Sequence, residues 1–469
     1  MEEQDRSSQS RPPHVLIFPL PLQGHINSMI KLAELLAIAG LKLTFLHSHH
    51  NHERLVKFNN IAAHFERYPG FQFKTITDGL PLDHPRSGRW FLAMFEDTME
   101  LKMKQSLREV LVNSSPPVDC IIADGFSGFA LDVAKELGIP IIFFRTSSPC
   151  CFWVYYSIPD IIQAGELPIN GSEDMDRLIT TVPGMETYLR CRDLPTYCRK
   201  LDFEDSMKLV VKQTRKSLQA DALILNTAEE LDGPILSQIR TKCPRVYAVG
   251  PLHAQLNTRL NAKHGESYDH ISNTLWEVDK SCIFWLNKQP NRSVIYVSFV
   301  SITSMSREQL VELWYGLLNS KTKFLLVVRP DSVIGKDGEG EDVVMELMEK
   351  SKDRGYIVNC APQEAVLNHP AIGGFFTHNG WNSTLESVVA GVPMICWPQF
   401  ADQHVNSRVV SEVWKIGLDM KDVCDSKMVE KMVNDVMVDR KEEFAKSASE
   451  MAKRKIRRSS RWYNGSRFT

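Results

Sequence analysis

The chain begins with an alternation of apolar runs and helical patterns. The run HVLIFPL (14–20) is short and rich in branched and aromatic residues, and it predicts a strand. A loop, PLQGHIN (21–27), and the helical pattern SMIKLAELLAIAG follow, and we expect this helix to end at Gly40. LKLTFLHS (41–48) predicts the next strand, which completes a βαβ unit.

The alternation continues in two blocks. In the first, strands are predicted at DCIIADG, IIFF, ADALILNTA and RVYAVGP, with a helix in ALDVAKELGIP. The second starts at SVIYVSFVS (293–301) and continues with strands at KFLLVVRP, YIVNCAP, GGFFTHNG and MICWP, and with helices in SREQLVELWYGLLNS and NSTLESVVAGVP. This pattern is typical of parallel sheets covered by helices on both faces. We therefore expect an α/β protein with two doubly wound, Rossmann-like domains that face a cleft.

The boundary between the blocks lies in a segment without a firm period. Residues 253–279 are rich in Asn, His and Ser and are interpreted as a linker. This gives an N-terminal domain at 1–252, a C-terminal domain at 280–452 and a basic tail at 453–469. A length of 469 residues fits two or three domains.

Composition narrows the class of protein. A net charge of −2 gives no overall attraction to nucleic acid or to anionic lipid. The polar start MEEQDRSSQSRPP is not a signal peptide, and no apolar run approaches the roughly 20 residues that span a bilayer. The ten cysteines form no C-x-x-C pair, which favours reduced thiols. We expect a cytoplasmic protein, a monomer, with no nucleic-acid partner and no stable membrane insertion.

The candidate chemistry lies in the loops that follow strands, where doubly wound sheets bind ligands. In THNGWNSTLESVVAG, an Asn-Gly turn precedes a helix that begins near Trp381. His378, Asn382 and Ser383 would meet the first backbone N–H groups of that helix, an arrangement that binds anions such as phosphate. The alternative is an ordinary helix start capped by Asn382 or Ser383. Glu386, one turn further, could accept hydrogen bonds from vicinal hydroxyls, or it could be a surface residue.

Two further loops carry a histidine and an aspartate. His25 follows the first strand, and Asp124, in IIADGFS, follows another. A lone histidine is more often structural than catalytic, and Asp124 could cap the helix after it. Imidazole is nevertheless suited to take a hydroxyl proton near neutral pH, and a carboxylate can orient it. Both side chains can reach one rim of the sheet.

Residues 360–403 read CAPQEAVLNHPAIGGFFTHNGWNSTLESVVAGVPMICWPQFADQ. This segment resembles the signature of plant secondary-product glycosyltransferases, in glycosyltransferase family 1, and the resemblance extends from GHIN to about Ala452. It implies a GT-B fold, an acceptor-binding N-terminal domain and a nucleotide-sugar-binding C-terminal domain. The resemblance also implies the donor contacts: Ala361 and Gln363 with uracil, Glu386 with ribose, His378, Asn382 and Ser383 with the diphosphate, and Trp381, Asp402 and Gln403 with the sugar.

The resemblance also implies a mechanism. The final Gln403 goes with UDP-glucose as co-substrate, His25 is the general base, and Asp124 orients His25 and stabilises its imidazolium. Thr146, in FRTSS, is expected to touch the sugar or the phosphate. The transfer inverts the anomeric carbon and yields a β-glucoside of a hydroxyl or a carboxyl group. No Asp-x-Asp stands in a metal-binding context, so we expect no cofactor and no catalytic metal.

Two positions depart from the family pattern. Cys360 replaces the tryptophan on which uracil stacks, which could cost about 1–3 kcal/mol of binding energy. Val300 replaces a glycine in SFVS, where the backbone is expected to approach the phosphates closely. Ser301 and Thr303 keep hydroxyls nearby. Both departures favour weaker donor binding and leave open a homologue that binds ligands without turnover.

The acceptor is indicated more weakly. Aromatic and Met-rich stretches at Ser147–Ile162 and Arg89–Lys104 fit either a lipophilic pocket or buried core helices. The stretch 12–45 is most similar to the subgroup that includes glucosyltransferases of the iridoid 7-deoxyloganetic acid. We expect a small lipophilic acceptor, an iridoid or monoterpenoid, with flavonoids and phenolics as the alternative. A nucleotide-sugar epimerase is disfavoured by the plant signature.

The terminal stretch KRKIRRSSRWYNGSRFT (453–469) has seven Lys or Arg residues, no acid and no apolar stripe. Such a stretch is usually solvated or disordered. Nuclear targeting and RNA contact are alternatives.

Overall fold

A computed structural model describes residues 11–459, except for 82–83, 85, 87–96, 170, 200–203, 265–273, 300–304, 330–332, 335–338 and 423. Within the described residues, the chain forms two large parallel sheets, each flanked by helices. The predicted α/β class with two doubly wound domains is therefore confirmed.

The N-terminal sheet has the strand order β3-β2-β1-β4-β5-β6-β7. Its strands are β1 His14–Phe18, β2 Lys42–Ser48, β3 Phe71–Ile76, β4 Cys120–Asp124, β5 Ile141–Arg145, β6 Ala222–Leu225 and β7 Val246–Ala248. Its helices are α1 Gln23–Ile38, α2 His49–Phe58, α3 Ile61–Phe65, α4 Asp97–Val112, α5 Phe129–Leu137, α6 Pro149–Gln163, α7 Thr196–Arg199, α8 Glu204–Ser217 and α9 Glu229–Arg240. β1 is buried along its whole length, as expected for a central strand covered on both faces.

The C-terminal sheet has the order β12-β10-β8-β13-β14-β15, and β9 and β11 form a separate short pair. The strands are β8 Val294–Ser298, β9 Met305–Ser306, β10 Lys323–Val327, β11 Val333–Ile334, β12 Gly355–Val358, β13 Ile372–Thr377, β14 Met394–Cys396 and β15 Gly417–Asp419. The helices, counted on from α10 Leu252–His264, are α11 Ser281–Leu286, α12 Arg307–Asn319, α13 Glu339–Lys350, α14 Gln363–Leu367, α15 Trp381–Ala390, α16 Gln403–Arg408, α17 Ser426–Asn434 and α18 Lys441–Ser459.

The strand orders determine where ligands can bind. In the first sheet the direction of winding changes between β1 and β4, and in the second it changes between β8 and β13. Crevices at the carboxyl ends of such strand pairs are the usual ligand sites of open α/β sheets. In the first pair, His25 lies in the segment after β1 and Asp124 is the last residue of β4. In the second pair, His378 directly follows β13.

The linker and the tail are more ordered than the sequence indicates. Helix α10 (Leu252–His264) occupies the first half of the predicted linker and packs against α1. Residues 453–459, the first part of the basic tail, continue α18, which packs against α15. Residues 460–469 lie outside the described residues. In the described part of the chain, no helix is long and apolar enough to cross a membrane.

Helices α12 and α17 approach each other closely at Gly316. A Cβ built there would lie 2.4 Å from the Val429 Cβ and 2.8 Å from the carbonyl oxygen of Ser426. We predict that Gly316→Ala lowers the free energy of unfolding by about 1–3 kcal/mol, because this overpacking outweighs the better helix propensity of alanine. Urea denaturation of both variants measures it.

The matched control is Gly233→Ala in α9, where a Cβ would meet no atom within 4 Å. This variant should stay within about 0.5 kcal/mol of the parent protein. Equal stability of the two variants would contradict the overpacking at α12 and α17.

Candidate active site

A histidine and an aspartate meet at the carboxyl edge of the N-terminal sheet. His25 lies in the first turn of α1, which begins at Gln23, so the predicted loop is shorter than its sequence suggests. Asp124, the last residue of β4, is fully buried, and its Oδ2 is 2.6 Å from the His25 Nδ1. Its Oδ1 accepts the backbone N–H of Phe126 at 2.9 Å. Asp124 is therefore a partner of His25, and the alternative of a cap on α5, whose N-cap is Gly128, is wrong.

The pairing selects the nitrogen of His25 that can react. With the Nδ1 proton directed at Asp124, the Nε2 atom of the neutral ring is the proton acceptor. Thr146, directly after β5, has its Oγ1 3.1 Å from the same Nδ1. The arrangement is that of a general base oriented by a carboxylate.

His378 lies across the cleft, directly after β13. It is followed by Asn379, at a positive φ of 66°, and by the N-cap Gly380, so α15 begins at Trp381 as predicted. A Cβ at Gly380 would lie 2.6 Å from the His378 Nε2, so the turn needs a glycine to accommodate the ring. Burial lowers the pKa of His378 to about 4, and its buried Nδ1 has no hydrogen-bond partner among the described residues. The ring is therefore neutral at pH 7 and acts as a hydrogen-bond donor or acceptor.

Two polar side chains of α15, Ser383 and Glu386, are joined by hydrogen bonds to Gln363, the first residue of α14. The Gln363 Nε2 donates to the Ser383 Oγ at 2.9 Å and to the Glu386 Oε2 at 2.7 Å. Glu386 and Ser383 are nearly fully buried, as is Ala361, two residues before Gln363 in the sequence. The alternatives of a surface glutamate and of a Ser383 cap are thus wrong, because Ser383 bonds to Gln363 and makes no cap on α15.

Lys31 of α1 reaches this cluster from the opposite domain. Its Nζ pairs with the Glu364 carboxylate and lies 4.0 Å from the Glu386 Oε1. Burial raises the pKa of Glu386 to about 7, and the charge of Lys31 opposes that rise. For Glu364, burial is outweighed by the Lys31 charge, which leaves its pKa well below the usual range. The sequence did not predict a role for Lys31, because a lysine in an amphipathic helix is normally solvent-exposed and because its carboxylate partners lie far away in the chain.

Two of the residues predicted to bind the sugar nucleotide, Trp381 and Asn382, form hydrogen bonds to the N-terminal domain. The indole N–H of Trp381 donates to the Asn226 carbonyl oxygen at 2.8 Å, so this N–H already has a hydrogen-bond partner in the N-terminal domain. The Asn382 Oδ1 accepts from the Ser28 hydroxyl at 2.7 Å, and its Nδ2 donates to the Gly24 carbonyl at 2.8 Å. Asn382 does not cap α15. The N-terminus of α15 is thereby held against the first turn of α1.

Asp402 and Gln403 lie at the start of α16. The Gln403 Oε1 accepts the backbone N–H groups of Gln399 and Phe400, at 2.8 and 3.1 Å, which fixes the preceding turn. The Asp402 Oδ2 accepts the Asn406 amide at 2.9 Å, and burial raises the pKa of Asp402 to about 6.

The remaining predicted positions divide into two groups. Val300, Ser301 and Thr303 lie outside the described residues. Cys360 is buried at the end of β12, and its carbonyl oxygen accepts the Asp279 N–H at 2.9 Å. The Ser147–Ile162 stretch forms α6, which is buried in the core over most of its length, and most of the Arg89–Lys104 stretch lies outside the described side chains.

We predict that Lys31→Met lowers the free energy of unfolding by up to about 3 kcal/mol at pH 8, since the buried Glu386 and the partly buried Glu364 lose their counter-charge. The lowered pKa of Glu364 means that the ion pair stabilises the fold above pH 4.5 and is lost as the pH falls toward 2. In the variant, protonation of the unpaired carboxyls relieves the penalty, so the loss of stability should be smaller at pH 5 than at pH 8. Urea titrations at both pH values measure the difference.

Lys350→Met is the control, because Lys350 forms an exposed pair with Glu346 at 2.5 Å. Its effect should be small at both pH values. A loss in Lys31→Met that does not depend on pH would contradict the role of Lys31 as a counter-charge.

Comparison with known proteins assigns the family. The sequence model of the family described as UDP-glucoronosyl and UDP-glucosyl transferase matches residues 270–454. A 7-deoxyloganetic acid glucosyl transferase from Catharanthus roseus is 55% identical over 449 residues, which cover 94% of this chain and 92% of that protein. A myricetin 3-O-rhamnoside 1,2-glucosyltransferase from Crocosmia x crocosmiiflora is 46% identical, with 94% and 90% of the two chains covered.

Solved structures agree with this assignment. The Os79 protein of O. sativa in complex with UDP superimposes with a TM-score of 0.77 at 25% identity, over 94% of both chains. A UDP-glucose:anthocyanidin 3-O-glucosyltransferase in complex with UDP gives 0.75 at 25% identity, over 94% of this chain and 93% of that one. The expected GT-B fold is confirmed, and the chain belongs to the plant branch of the UDP-glucoronosyl and UDP-glucosyl transferase family.

Proposed function

We propose that the protein transfers glucose from UDP-glucose to a small lipophilic plant metabolite, with an iridoid or monoterpenoid favoured. The observation that carries this proposal is the His25–Asp124 pair, with its 2.6 Å contact, facing the N-terminus of α15 across the cleft. One side supplies a base for an acceptor, and the other supplies donors for a diphosphate. UDP-glucose is a co-substrate, and the proposal includes no resident cofactor or metal.

The chemical step is a single displacement. His25 Nε2 takes the proton of the acceptor O–H, and the oxygen forms a bond to the anomeric carbon. The bond between that carbon and the β-phosphate oxygen breaks, and UDP leaves with the electron pair. Asp124 stabilises the imidazolium that forms. The N-terminus of α15 and the neutral His378 ring would stabilise the charge that develops on the leaving diphosphate. Attack opposite the leaving group gives a β-glucoside.

The cluster of Gln363, Ser383 and Glu386 supports a proposal in which different side chains contact the uracil, the ribose, the diphosphate and the sugar of UDP-glucose. Gln363 and Ala361 would meet the uracil, and Glu386 would accept hydrogen bonds from the ribose hydroxyls. Asp402 and Gln403 would meet the sugar, together with Thr146 beside His25. Trp381 contributes through its backbone N–H, since its indole bonds to Asn226. His378, Asn382 and Ser383 line the start of α15, where the diphosphate would bind; Ser301 and Thr303 belong to the same proposal from sequence alone.

The relatives support the choice of acceptor. The protein that is 55% identical is named as a 7-deoxyloganetic acid glucosyl transferase, and the one that is 46% identical as a myricetin 3-O-rhamnoside 1,2-glucosyltransferase. A flavonoid or phenolic acceptor is the alternative. Cys360, without a stacking face for uracil, favours a second candidate, a homologue that binds ligands without turnover. We further propose a cytoplasmic monomer.

We predict that Asp124→Asn lowers kcat about 10³- to 10⁴-fold, because the amide no longer holds His25 in the productive tautomer. UDP release and product mass with 7-deoxyloganetic acid and a panel of other acceptors measure the activity. Asp132→Asn, which changes a half-exposed carboxylate of α5, should keep full activity. Absence of turnover in the parent protein, with UDP-glucose still bound, would favour the non-catalytic alternative.

We predict that UDP-glucose binds about tenfold more weakly at pH 6 than at pH 8. The Glu386 carboxyl, with a pKa of about 7, must be ionised to accept both ribose hydroxyls, so affinity rises with pH through that value. Calorimetry at the two pH values gives Kd. Glu386→Gln should bind weakly and with little pH dependence; an equally steep dependence in that variant would assign the titration to another group.

A further inference from the structure

Arg145 is a fully buried cation next to the proposed catalytic residues. It is the last residue of β5 and directly precedes Thr146, whose hydroxyl is 3.1 Å from His25. Its Nη1 donates to the Gly125 carbonyl oxygen at 3.0 Å. Among the described residues, its Nε and Nη2 have no hydrogen-bond partner and Arg145 forms no ion pair with a carboxylate. The nearby Asp124 is already engaged by His25 and the Phe126 N–H.

An unpaired guanidinium in this position is unusual. Buried charges in proteins are normally paired, and a buried donor without an acceptor is destabilising. Nε and Nη2 lie on the same edge of the guanidinium plane, and this edge matches the two oxygens of a carboxylate. The geometry of the vacant donors thus specifies a planar anion.

The surroundings of Arg145 are built to hold it. A Cβ at Gly125 would lie 2.2 Å from the Arg145 Cδ, so only glycine after Asp124 leaves room for this side chain. The guanidinium carbon lies 4.2 Å from the centre of the Phe126 ring and 5.2 Å from that of Phe152. Phe126 is partly exposed, and its ring centre is 6.1 Å from that of His25.

We infer that Arg145 binds the carboxylate of a hydroxy-acid acceptor and so presents the hydroxyl of that acceptor to His25. The inference rests on the proposed function and specifies its substrate class. The aromatic rings around Arg145 suit the lipophilic body of such an acceptor. A carboxylate is also carried by a uronic-acid donor, so the test separates the two sources.

The inference also decides between two products. A carboxylate paired with Arg145 is neutralised and held away from His25, and its oxygens do not attack. The hydroxyl loses its proton to His25 Nε2 and forms the new bond to the anomeric carbon, while UDP leaves with the electrons of the broken bond. The product is an O-glucoside with a free carboxylate. It should survive mild alkali, which would release glucose from an ester.

The experiment compares 7-deoxyloganetic acid with its methyl ester as acceptors, with UDP-glucose as donor. We expect the parent protein to prefer the acid, and Arg145→Met to lose about 10- to 100-fold in kcat/KM on the acid and little on the ester. Arg145→Lys should recover part of the loss. Arg240→Met, which removes an arginine paired with Glu229 in the same domain, should keep the preference for the acid.

Three readouts separate this role from a structural one. The Kd of UDP-glucose should be unchanged in Arg145→Met, and its Tm should be unchanged or higher, because an unpaired buried charge is removed. Equal losses on acid and ester with a lower Tm would overturn the inference. An unchanged preference for the acid, with altered use of UDP-glucuronate, would assign Arg145 to the donor and also overturn it.

Failure of the proposed function would look different. If the parent protein does not turn over either acceptor, calorimetry still tests whether it binds the acid more tightly than the ester and whether Arg145→Met abolishes the difference. Loss of that difference in the variant would support the carboxylate site in a protein without transferase activity. No preference for the acid in the parent protein would overturn the inference.

Discussion

The contact between the first turns of α1 and the N-terminus of α15 is the constraint on which the site depends. His25, Ser28 and Lys31 are spaced three residues apart, so they lie along one side of α1. Ser28 bonds to Asn382, Lys31 pairs with Glu364, and His25 contacts Asp124. A single helix of the N-terminal domain thus positions the proposed base, His25, relative to the elements proposed to bind the nucleotide.

Burial gives similar groups different charges in this cleft. Asp124 is held by two hydrogen-bond donors, one of them His25, whereas Asp402 has its pKa raised to about 6 by burial and Glu386 to about 7. The two carboxyl groups proposed to contact UDP-glucose therefore have pKa values near neutral pH, whereas Asp124 has fixed hydrogen-bond partners. The buried cations also differ in their partners. Lys31 lies near two carboxylates, whereas Arg145 forms no ion pair among the described residues.

The sequence predicts the parts of the site that depend on chain order. Strand ends place His25, Asp124 and His378, because the carboxyl edge of a parallel sheet is determined once the strands are known. The sequence does not predict contacts between elements that are far apart in the chain. Trp381 shows the difference, since its indole bonds to a carbonyl of the other domain, more than a hundred residues away. Lys31 was missed for the same reason, and Arg145 could have been found, because a charge at the end of the apolar strand IIFFR is itself a signal. The helix α10 was missed because its Asn- and His-rich sequence has little amphipathic pattern.

These contacts reduce the expected effect of Cys360 on donor binding. Uracil stacking is only one of the interactions proposed to hold the nucleotide. The others involve the connected side chains of Gln363, Ser383 and Glu386, and Lys31 links this set to the opposite domain. A donor bound there would be held by the ribose and by the start of α15 more than by its base. Lys31 and Asn382 both form contacts between the domains, so the same interactions hold the domains together and position the residues proposed to bind the donor. We therefore expect the loss of the stacking tryptophan to weaken binding of the base and to leave the proposed position of the donor relative to His25 unchanged.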